Sequence, residues 1–263
     1  MLVIGERINA TRKSIFRAIS EKDAEFIKKE ARDQLNAGAD MLDVNCGTSD
    51  KGEMEDIEWL VNTVQEVADV RLVIDSPNPL VLEKGLGACK KKAMVNSITG
   101  EKDKIEKILP LVKKFDTEVV ALTLDDSGMP HTAHQRFDIA KKILEETSKQ
   151  GVPNENVYFD PLVRPVSTEP DQGREFLEGV RMIKTLPGVK TVCGLSNISF
   201  GLPGRGVLNS TFLVMAIACG LDAAIVDPTN KNTFFAVKSG KALLGRDEYC
   251  MDYITAFRES HQQ

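Results

Sequence analysis

Short apolar segments recur along this chain at nearly regular intervals, and each is followed by a turn and a longer stretch with helical spacing. The eight segments are Leu2–Ile4, Met41–Val44, Leu72–Ile74, Ala93–Val95, Val119–Leu122, Val157–Phe159, Thr191–Cys193 and Ala223–Val226. Alternating strands and helices are typical of α/β proteins with a parallel sheet. Eight units in 263 residues give about 33 residues per unit, close to the size of a closed (β/α)8 barrel. The sequence therefore predicts a single TIM barrel domain over residues 1–263.

Helical stretches occupy the intervals between these segments. Their predicted bounds are Asp23–Ala37, Met54–Val67, Pro79–Leu86, Lys102–Lys114, Ala133–Gln150, Gly173–Leu186, Leu208–Cys219 and Thr233–Leu244. The main alternative fold, an open doubly wound sheet, usually has a glycine-rich phosphate-binding turn after its first strand. The corresponding segment here, Gly5–Asn9, has no glycine cluster, so the barrel is favoured. The polar end Gln262–Gln263 is predicted to be a frayed terminus.

Composition argues against several functional classes. The 39 acidic and 34 basic residues give a net charge of −5, which supplies no positive field for nucleic acid or anionic lipid. Charges at Glu6 and Arg7 interrupt the first apolar segment, so neither a signal peptide nor a membrane span is predicted, and a cytoplasmic location is expected. The five cysteines form no Cys-x-x-Cys pair, and the three histidines are His131, His134 and His261. We therefore expect no tightly bound metal.

Carboxylate and carboxamide side chains follow every one of the eight predicted strands. They are Glu6 and Asn9 after the first strand, then Asn45, Asp75, Asn96, Asp125, Asp160, Asn197 with Ser196, and Asp227. In a TIM barrel, residues at the carboxyl ends of the strands build the active site. Ionised aspartates accept hydrogen bonds from amino and ring N–H groups, and asparagine amides donate to a carbonyl. This set of side chains therefore favours a flat, nitrogen-rich heterocycle as the ligand.

Three other interpretations of these polar side chains stay open. Aspartate and asparagine are favoured helix caps, and Asp75, Ser76 or Asn78 could cap the same following helix. A cluster of carboxylates could bind magnesium or calcium. A carboxylate pair could hydrolyse glycosides, although aromatic platforms for sugars are scarce and the one tryptophan, Trp59, lies in a predicted helix.

Seven segments, in this order, carry a resemblance to a known family. They are Gly5–Asn9, Asp43–Asn45, Asp75–Ser76, Val95–Ser97, Phe159–Leu162, Gly194–Phe200 and Leu208–Phe212. They resemble the pterin-binding methyltransferase family, which contains methyltetrahydrofolate:corrinoid/iron–sulfur protein methyltransferase and the folate domain of cobalamin-dependent methionine synthase. The resemblance extends over nearly the whole chain and implies a TIM barrel, in agreement with the strand count.

This resemblance implies a binding site for the pterin ring. Asp75, Asn96 and Asp160 match the residues that hold the ring nitrogens, the exocyclic amine and the carbonyl. Gly194 and Ser196 match the wall of the pocket at the seventh strand. Because Gly194 has no side chain, the ring could approach the backbone closely there.

The resemblance also implies a catalytic group. Asn197 matches the residue that hydrogen-bonds N5, the folate nitrogen that carries the transferred methyl group, and Arg205 matches a loop arginine near the p-aminobenzoate and glutamate part. An amide that donates to N5 would assist the breaking of the N–methyl bond, while Asp75 and Asp160 fix the orientation of the ring. Catalysis is then mostly positioning and electrostatics, with no metal held by this chain.

The implied reaction is methyl exchange between N5 of tetrahydrofolate and the cobalt of a corrinoid. The eight units occupy nearly all 263 residues, so the corrinoid is expected on a separate partner protein. The loop Phe200–Gly206 departs from the amide-rich form of the acetogenic enzymes. The partner could therefore be a corrinoid/iron–sulfur protein or the corrinoid protein of a demethylase system, from which the methyl group would pass to tetrahydrofolate. The resemblance further implies a homodimer.

Two other functions are weighed against this one. Dihydropteroate synthase shares the pterin barrel but must also bind a pyrophosphate leaving group, and the strand ends offer only Arg7 and Arg205 as basic residues. A non-catalytic folate-binding protein is the second alternative.

Overall fold

The computed structural model describes residues 1–47, 52–67 and 69–260. His261 and the predicted frayed end Gln262–Gln263 lie outside the described residues. All eight predicted strands occur, and every predicted helix overlaps an observed one.

Eight parallel strands form a nearly closed barrel. Their bounds are β1 (Leu2–Asn9), β2 (Met41–Asn45), β3 (Arg71–Asp75), β4 (Met94–Thr99), β5 (Glu118–Leu122), β6 (Val157–Asp160), β7 (Lys190–Thr191) and β8 (Ala223–Val226). The sheet order is β7-β6-β5-β4-β3-β2-β1-β8. Between β7 and β8, a parallel bridge joins Gly194 to Ile225, and the Ile225 N–H donates to the Cys193 carbonyl at 2.8 Å. The predicted TIM barrel is confirmed.

Helices connect successive strands. The described residues form α1 (Lys13–Ser20), α2 (Ala24–Asn36), α3 (Glu53–Gln65), α4 (Pro79–Ala88), α5 (Lys102–Lys114), α6 (Ala133–Lys149), α7 (Gln172–Ile183), α8 (Arg205–Ala218), α9 (Lys231–Leu243) and α10 (Met251–Ser260). The side chains of Asp23, Asn78 and Thr132 each accept a hydrogen bond from a first-turn N–H of the helix that follows. Such caps explain why the predicted helix starts at these three positions are accurate to one residue.

Two helices, α1 and α10, are absent from the prediction. Helix α1 has only eight residues and no side-chain cap, so its start is not marked in the sequence. Packing stabilises it instead, because Ile15 and Ile19 are buried in the core. Helix α10 begins where the Asp247 carboxylate accepts from the N–H groups of Asp252 and Tyr253, both at 3.0 Å.

The first strand is longer than predicted, and the seventh is shorter. Gly5 and Ile8 both pair with β2, but the register shifts between them, so β1 contains a bulge. The buried Gln34 side chain accepts from the Arg7 N–H at 2.9 Å inside this irregular stretch. Strand β7 ends at Thr191, four residues before a 3₁₀ turn at Leu195–Ser199.

One apolar residue from each strand, or from the residue just after it, fills the centre of the barrel. These residues are Ile4, Met41, Val73, Met94, Val120, Tyr158, Val192 and Ala223. All eight are buried and pack against one another. The barrel is therefore solid at this level, and these side chains form the floor of any cavity at the carboxyl end of the strands.

Candidate active site

Polar side chains form the layer next to this floor. Side chains alternate across a strand, so the residue two positions after each floor residue also points into the barrel. Those residues are Glu6, Asp43, Asp75, Asn96, Leu122, Asp160, Gly194 and Ile225. Five of the eight carry a carboxyl or carboxamide group, so the interior changes from apolar to polar within one layer.

A cavity of about 500 Å³ opens at this end of the barrel. It is lined by Glu6, Asn9, Thr11, Arg12, Asp43, Asp75, Asn96, Asp160, Gly194, Asn197 and Ile225. Its volume is in the range of small-molecule sites. The structure brings five of the seven predicted site residues together in this lining: Asp75, Asn96, Asp160, Gly194 and Asn197. The other two, Ser196 and Arg205, lie beside it.

Asp75 is the last residue of β3, and its carboxylate faces the cavity. The cap of α4 is Asn78, whose side chain accepts from the Leu80 N–H at 3.0 Å. Asp75 is therefore not used as a cap, which decides the question that the sequence left open. The Asn45 amide donates to the Asp75 carboxylate at 3.1 Å. Burial raises the pKa of Asp75, and the Asn45 hydrogen bond opposes that effect.

Asp43 is a cavity residue outside the predicted set. It lies inside β2, two positions before Asn45, and only 2% of its surface is exposed. The Asn96 amide donates to its carboxyl group at 3.4 Å. Burial, and then the nearby Asp75 and Glu6, raise the pKa of Asp43 well above its usual range, while Asn96 lowers it. The two-residue period of the strand was the signal that could have identified it.

Asp160 ends β6 and is held from several sides. Its carboxylate accepts from the Leu162 N–H at 2.7 Å, and its backbone carbonyl accepts from the Thr123 N–H at 3.0 Å and hydroxyl at 3.1 Å. Burial raises the pKa of Asp160 to about 6, against the lowering effects of the Leu162 and Gly194 N–H groups and of Arg136. The carboxylate is thus ionised at neutral pH but close to titration.

Glu6 is a second cavity carboxylate outside the predicted set. Glu6 and Asn9 were predicted to follow the first strand, but both lie within β1, Glu6 inside the bulge that extends the strand and Asn9 beyond it. The Ser196 hydroxyl donates to the Glu6 carboxylate at 3.3 Å. Burial and the nearby Asp227 raise the pKa of Glu6 to about 7.

Asn197 lies in the 3₁₀ turn Leu195–Ser199 and is exposed at the cavity mouth. Arg205 braces this turn from the start of α8, because its guanidinium donates to the Ser196 carbonyl at 2.6 Å and to the Ser199 hydroxyl at 2.9 Å. Arg205 is absent from the cavity lining, and its observed contacts are with the turn that carries Asn197.

Two strand-end carboxylates lie outside the cavity lining. Asp125, after β5, accepts from the Ser127 N–H at 3.0 Å and forms an ion pair with Lys142 at 3.3 Å. Asp227, after β8, lies 3.4 Å from the Arg7 guanidinium. Neither residue caps the helix that follows, because Thr132 caps α6 and Asn230 caps α9, so the capping interpretation is wrong for both. Arg7 itself is also outside the lining, which leaves Arg12 as the one basic residue among those that line the cavity.

The cavity suits a ligand with several N–H donors. Four carboxyl groups and two carboxamides besides Asn9 line it: Glu6, Asp43, Asp75, Asp160, Asn96 and Asn197. Burial raises the pKa of all four acids, and a ligand that donates hydrogen bonds would stabilise their charged forms. Within the described ranges, no group of three or more His, Cys, Asp or Glu side chains is arranged to hold a metal ion. No helix in the same ranges is long and apolar enough to cross a membrane.

A model of the pterin binding enzyme family matches residues 5–227, a range that contains the entire cavity lining. The chain belongs to the family of pterin-binding enzymes. The resemblance stated from the sequence is confirmed. The cavity rich in amide and acid side chains lies entirely within the matched range.

Two relatives and one solved structure illustrate what the chain is similar to. The chain is 38% identical over 264 residues to methylcorrinoid:tetrahydrofolate methyltransferase of Eubacterium limosum, a match covering 98% of this chain and 97% of that protein. It is 32% identical over 240 residues to methionine synthase of Mycobacterium leprae, but that match covers 86% of this chain and 20% of that protein. A dihydropteroate synthase from Clostridium difficile, solved in the presence of pteroic acid, superposes with a TM-score of 0.73 at 20% identity, covering 92% and 96% of the two chains. This last similarity concerns the fold alone.

Proposed function

We propose that this chain transfers a methyl group between N5 of tetrahydrofolate and a corrinoid bound to a separate protein. The observation that carries the proposal is a cavity lined by Asp75, Asn96, Asp160 and Asn197, in a chain similar along 98% of its length to a methylcorrinoid:tetrahydrofolate methyltransferase. The predicted homodimer and cytoplasmic location stay predictions.

In this proposal the pterin ring lies on the acidic layer of the barrel. Asp75 and Asp160 accept from the amino and ring N–H groups of the pterin. Asn96 already donates one amide hydrogen toward Asp43 and has a second for the ring carbonyl. These contacts fix the edge of the pterin that carries the amino group and the carbonyl deep in the cavity. The N5 side of the ring then faces Asn197 at the mouth.

Asn197 orients N5, and a different group accepts the proton that N5 releases. The corrinoid supplies an electrophilic methyl group or accepts one. When N5 receives the methyl group, its lone pair forms the new bond, the electron pair of the broken methyl–cobalt bond stays on the cobalt, and N5 must then lose its proton. Asn197 is an amide and has no acid–base function at neutral pH, so it orients N5. Glu6 is our candidate for the proton acceptor, since its carboxyl group lines the same cavity with a pKa of about 7.

We propose that the methyl group passes from the methylcorrinoid to tetrahydrofolate, the second of the two directions considered from the sequence. The support is the full-length similarity to a protein named for that direction. The test incubates the chain with methylcobalamin and tetrahydrofolate, follows the cobalamin spectrum and quantifies 5-methyltetrahydrofolate; the reverse reaction starts from 5-methyltetrahydrofolate and cob(I)alamin. Absence of transfer in both directions, with free cobalamin and with corrinoid proteins, would contradict the proposal. Production of dihydropteroate would favour the synthase alternative, for which Arg12 is the one cation in the cavity lining.

Folate affinity should fall at acidic pH. Burial raises the pKa of Asp160 to about 6, so in the free protein the carboxylate that accepts from the pterin is protonated below that pH. We expect a constant dissociation constant for 5-methyltetrahydrofolate above about pH 7 and a loss of up to about tenfold per pH unit below pH 6. Fluorescence titrations between pH 5 and 8.5 measure this dissociation constant. The variant D125N, altered outside the cavity, should give the same profile. A flat wild-type profile would show that ionised Asp160 is not needed for binding.

A side chain at Gly194 should block the cavity without harming the fold. A Cβ built there meets no atom within 4 Å, and φ is an ordinary −79°. The variant G194V therefore places a branched side chain in the space where the pterin is proposed to lie. We expect its melting temperature to stay near that of the wild type while folate binding weakens about 100-fold.

Gly87 provides a matched control for this substitution. It lies in α4, has no atom within 4 Å of its built Cβ, and is not part of the cavity lining. The variant G87A should keep both its stability and its folate affinity. If G194V bound folate as well as G87A, the pterin could not lie against this strand end.

A further inference from the structure

A buried arginine contacts the residue that follows Asp160. Arg136 belongs to α6 and has 0% of its surface exposed. Its Nε donates to the Pro161 carbonyl at 2.5 Å, and its Nη2 donates to the Gln172 side-chain oxygen at 2.7 Å. Because Pro161 follows Asp160 in the chain, the first bond holds the backbone immediately beyond the carboxylate.

The charge of Arg136 is poorly compensated. Both of its hydrogen-bond acceptors are neutral, and Nη1 has no partner among the described residues. Burial and the nearby Arg164 lower the pKa of Arg136 to about 10. A buried charge without an opposite charge in contact is destabilising, and an apolar side chain of similar volume would be favoured on stability grounds alone. The arginine therefore needs another explanation than packing.

The surroundings are shaped to hold this side chain in one place. A Cβ built on Gly179 of α7 would lie 3.3 Å from the Arg136 Cδ and 3.5 Å from the Pro161 Cβ. Glycine thus provides the space for the stem of the arginine. Gln172 donates its amide hydrogens to the His131 carbonyl and to Glu169, both at 3.1 Å, which leaves its oxygen directed at Arg136.

The backbone segment bonded by Arg136, Asp160–Leu162, also contains a hydrogen bond to the Asp160 carboxylate. The donor is the N–H of Leu162, and Leu162 has a φ of 65°, in the left-handed region that residues with a side chain rarely adopt. The Pro161 carbonyl lies between Asp160 and Leu162 in the chain. Its bond with Arg136 therefore stabilises an otherwise unfavourable backbone conformation, while the positive charge acts on Asp160.

We propose that Arg136 is a positioning residue for the pterin site, which orients Asp160 through the Pro161 carbonyl and favours its carboxylate form by charge. The proposal rests on the proposed function in assigning pterin binding to Asp160. The positive charge of Arg136 lowers the pKa of Asp160. On the neighbouring strand end, the charge of Asp160 in turn raises the pKa of the buried Cys193 thiol. The charged groups that act on Arg136 are Arg164, Glu175, Asp160 and Glu169.

The test replaces the charge and follows Asp160 directly. The variants R136M and R136Q remove the charge, and R136K keeps it on a single nitrogen, which lacks the planar fork that bonds Pro161 and Gln172 together. The titration of Asp160 is measured by ¹³C NMR of the free protein, with D160N providing the assignment, and folate affinity is measured at pH 8. We expect the Asp160 midpoint to rise by about half a pH unit or more in R136M and the dissociation constant to rise about tenfold. R136K should keep the wild-type midpoint but bind folate more weakly.

A control separates this role from general destabilisation of α6. Thr147 is buried in the same helix, and its hydroxyl donates to the Leu144 carbonyl. The variant T147V should lower the melting temperature without moving the Asp160 midpoint or the folate affinity. If R136M lost stability but kept the wild-type Asp160 titration midpoint and folate affinity, Arg136 would be merely structural and the proposal would be overturned. If R136M does not fold, R136Q takes its place; if neither folds, unchanged folate affinity in R136K overturns the proposal and weakened affinity supports it.

The experiment also distinguishes this inference from the proposed function. A wild-type protein that fails to bind folate refutes the proposed function. The Asp160 midpoint still reports, without any ligand, whether Arg136 controls this carboxylate.

Discussion

Replacing Asn197 with alanine is expected to slow methyl transfer about 10²–10³-fold while folate affinity changes only a few-fold. The reason is where the side chain lies. Asn197 is exposed in the 3₁₀ turn at the cavity mouth, whereas the carboxylates proposed to hold the pterin lie deeper, in the polar layer next to the floor, where Asp160 is buried and Asp75 is half-buried. A single polar group that aligns the reacting atom typically contributes about this much to a rate. Single-turnover kinetics with methylcobalamin and tetrahydrofolate measure the rate, and a fluorescence titration measures affinity.

A matched control for this substitution is Asn230. It lies on the same face of the barrel, where its side chain caps α9 by accepting from the Asn232 N–H at 2.9 Å. The variant N230A should lose about 1 kcal/mol of stability and keep the transfer rate. The role of Asn197 would be refuted by wild-type turnover in N197A. An equal loss of affinity and rate would instead make it a binding residue.

The layer structure of the barrel was accessible from the sequence, because it depends on local periodicity. Apolar strand segments, and caps such as Asp23 and Asn78, located the strands and most of the helices. Helix α1 was missed because tertiary packing, rather than a cap, stabilises it. The end of β1 was missed because a bulge held by Gln34 extends pairing through a polar stretch.

The site was predicted less completely than the fold. Five predicted residues line the cavity, but Asp43 was overlooked because a carboxylate inside a strand is unexpected without a polar layer in the barrel. Asp125 and Asp227 look similar in sequence, and only the structure shows that they form ion pairs outside the cavity lining. Arg136 illustrates the general limit. Its effect on Asp160 depends on burial and on contacts between α6, α7 and the end of β6, and none of these is a local property of the sequence.

The variant D160N should bind folate about 100-fold more weakly and yet be more stable than the wild type above pH 6. Loss of a charged acceptor for the pterin N–H groups explains the weaker binding. The stability change follows from the pKa. Burial raises the pKa of Asp160 from 3.8 to about 6, so the folded protein holds a proton that the unfolded chain has already released. Folding is therefore penalised above pH 6, by about 1–3 kcal/mol. Below pH 3.8 both states are protonated and the penalty vanishes.

These two effects of D160N have opposite signs, which makes the pair of measurements decisive. A residue that only stabilised the barrel would lose stability on substitution, and a misfolded variant would lose both stability and binding. D125N is the matched control, because hydrogen bonds to Ser127, as well as the Lys142 ion pair, lower the pKa of Asp125 and its substitution should remove a favourable interaction. Denaturant unfolding at pH 5 and pH 8, with folate titrations at pH 8, tests the expectation. Wild-type affinity in D160N would remove Asp160 from the site, whereas higher stability with lost affinity would show a buried charge retained for binding at the expense of the fold.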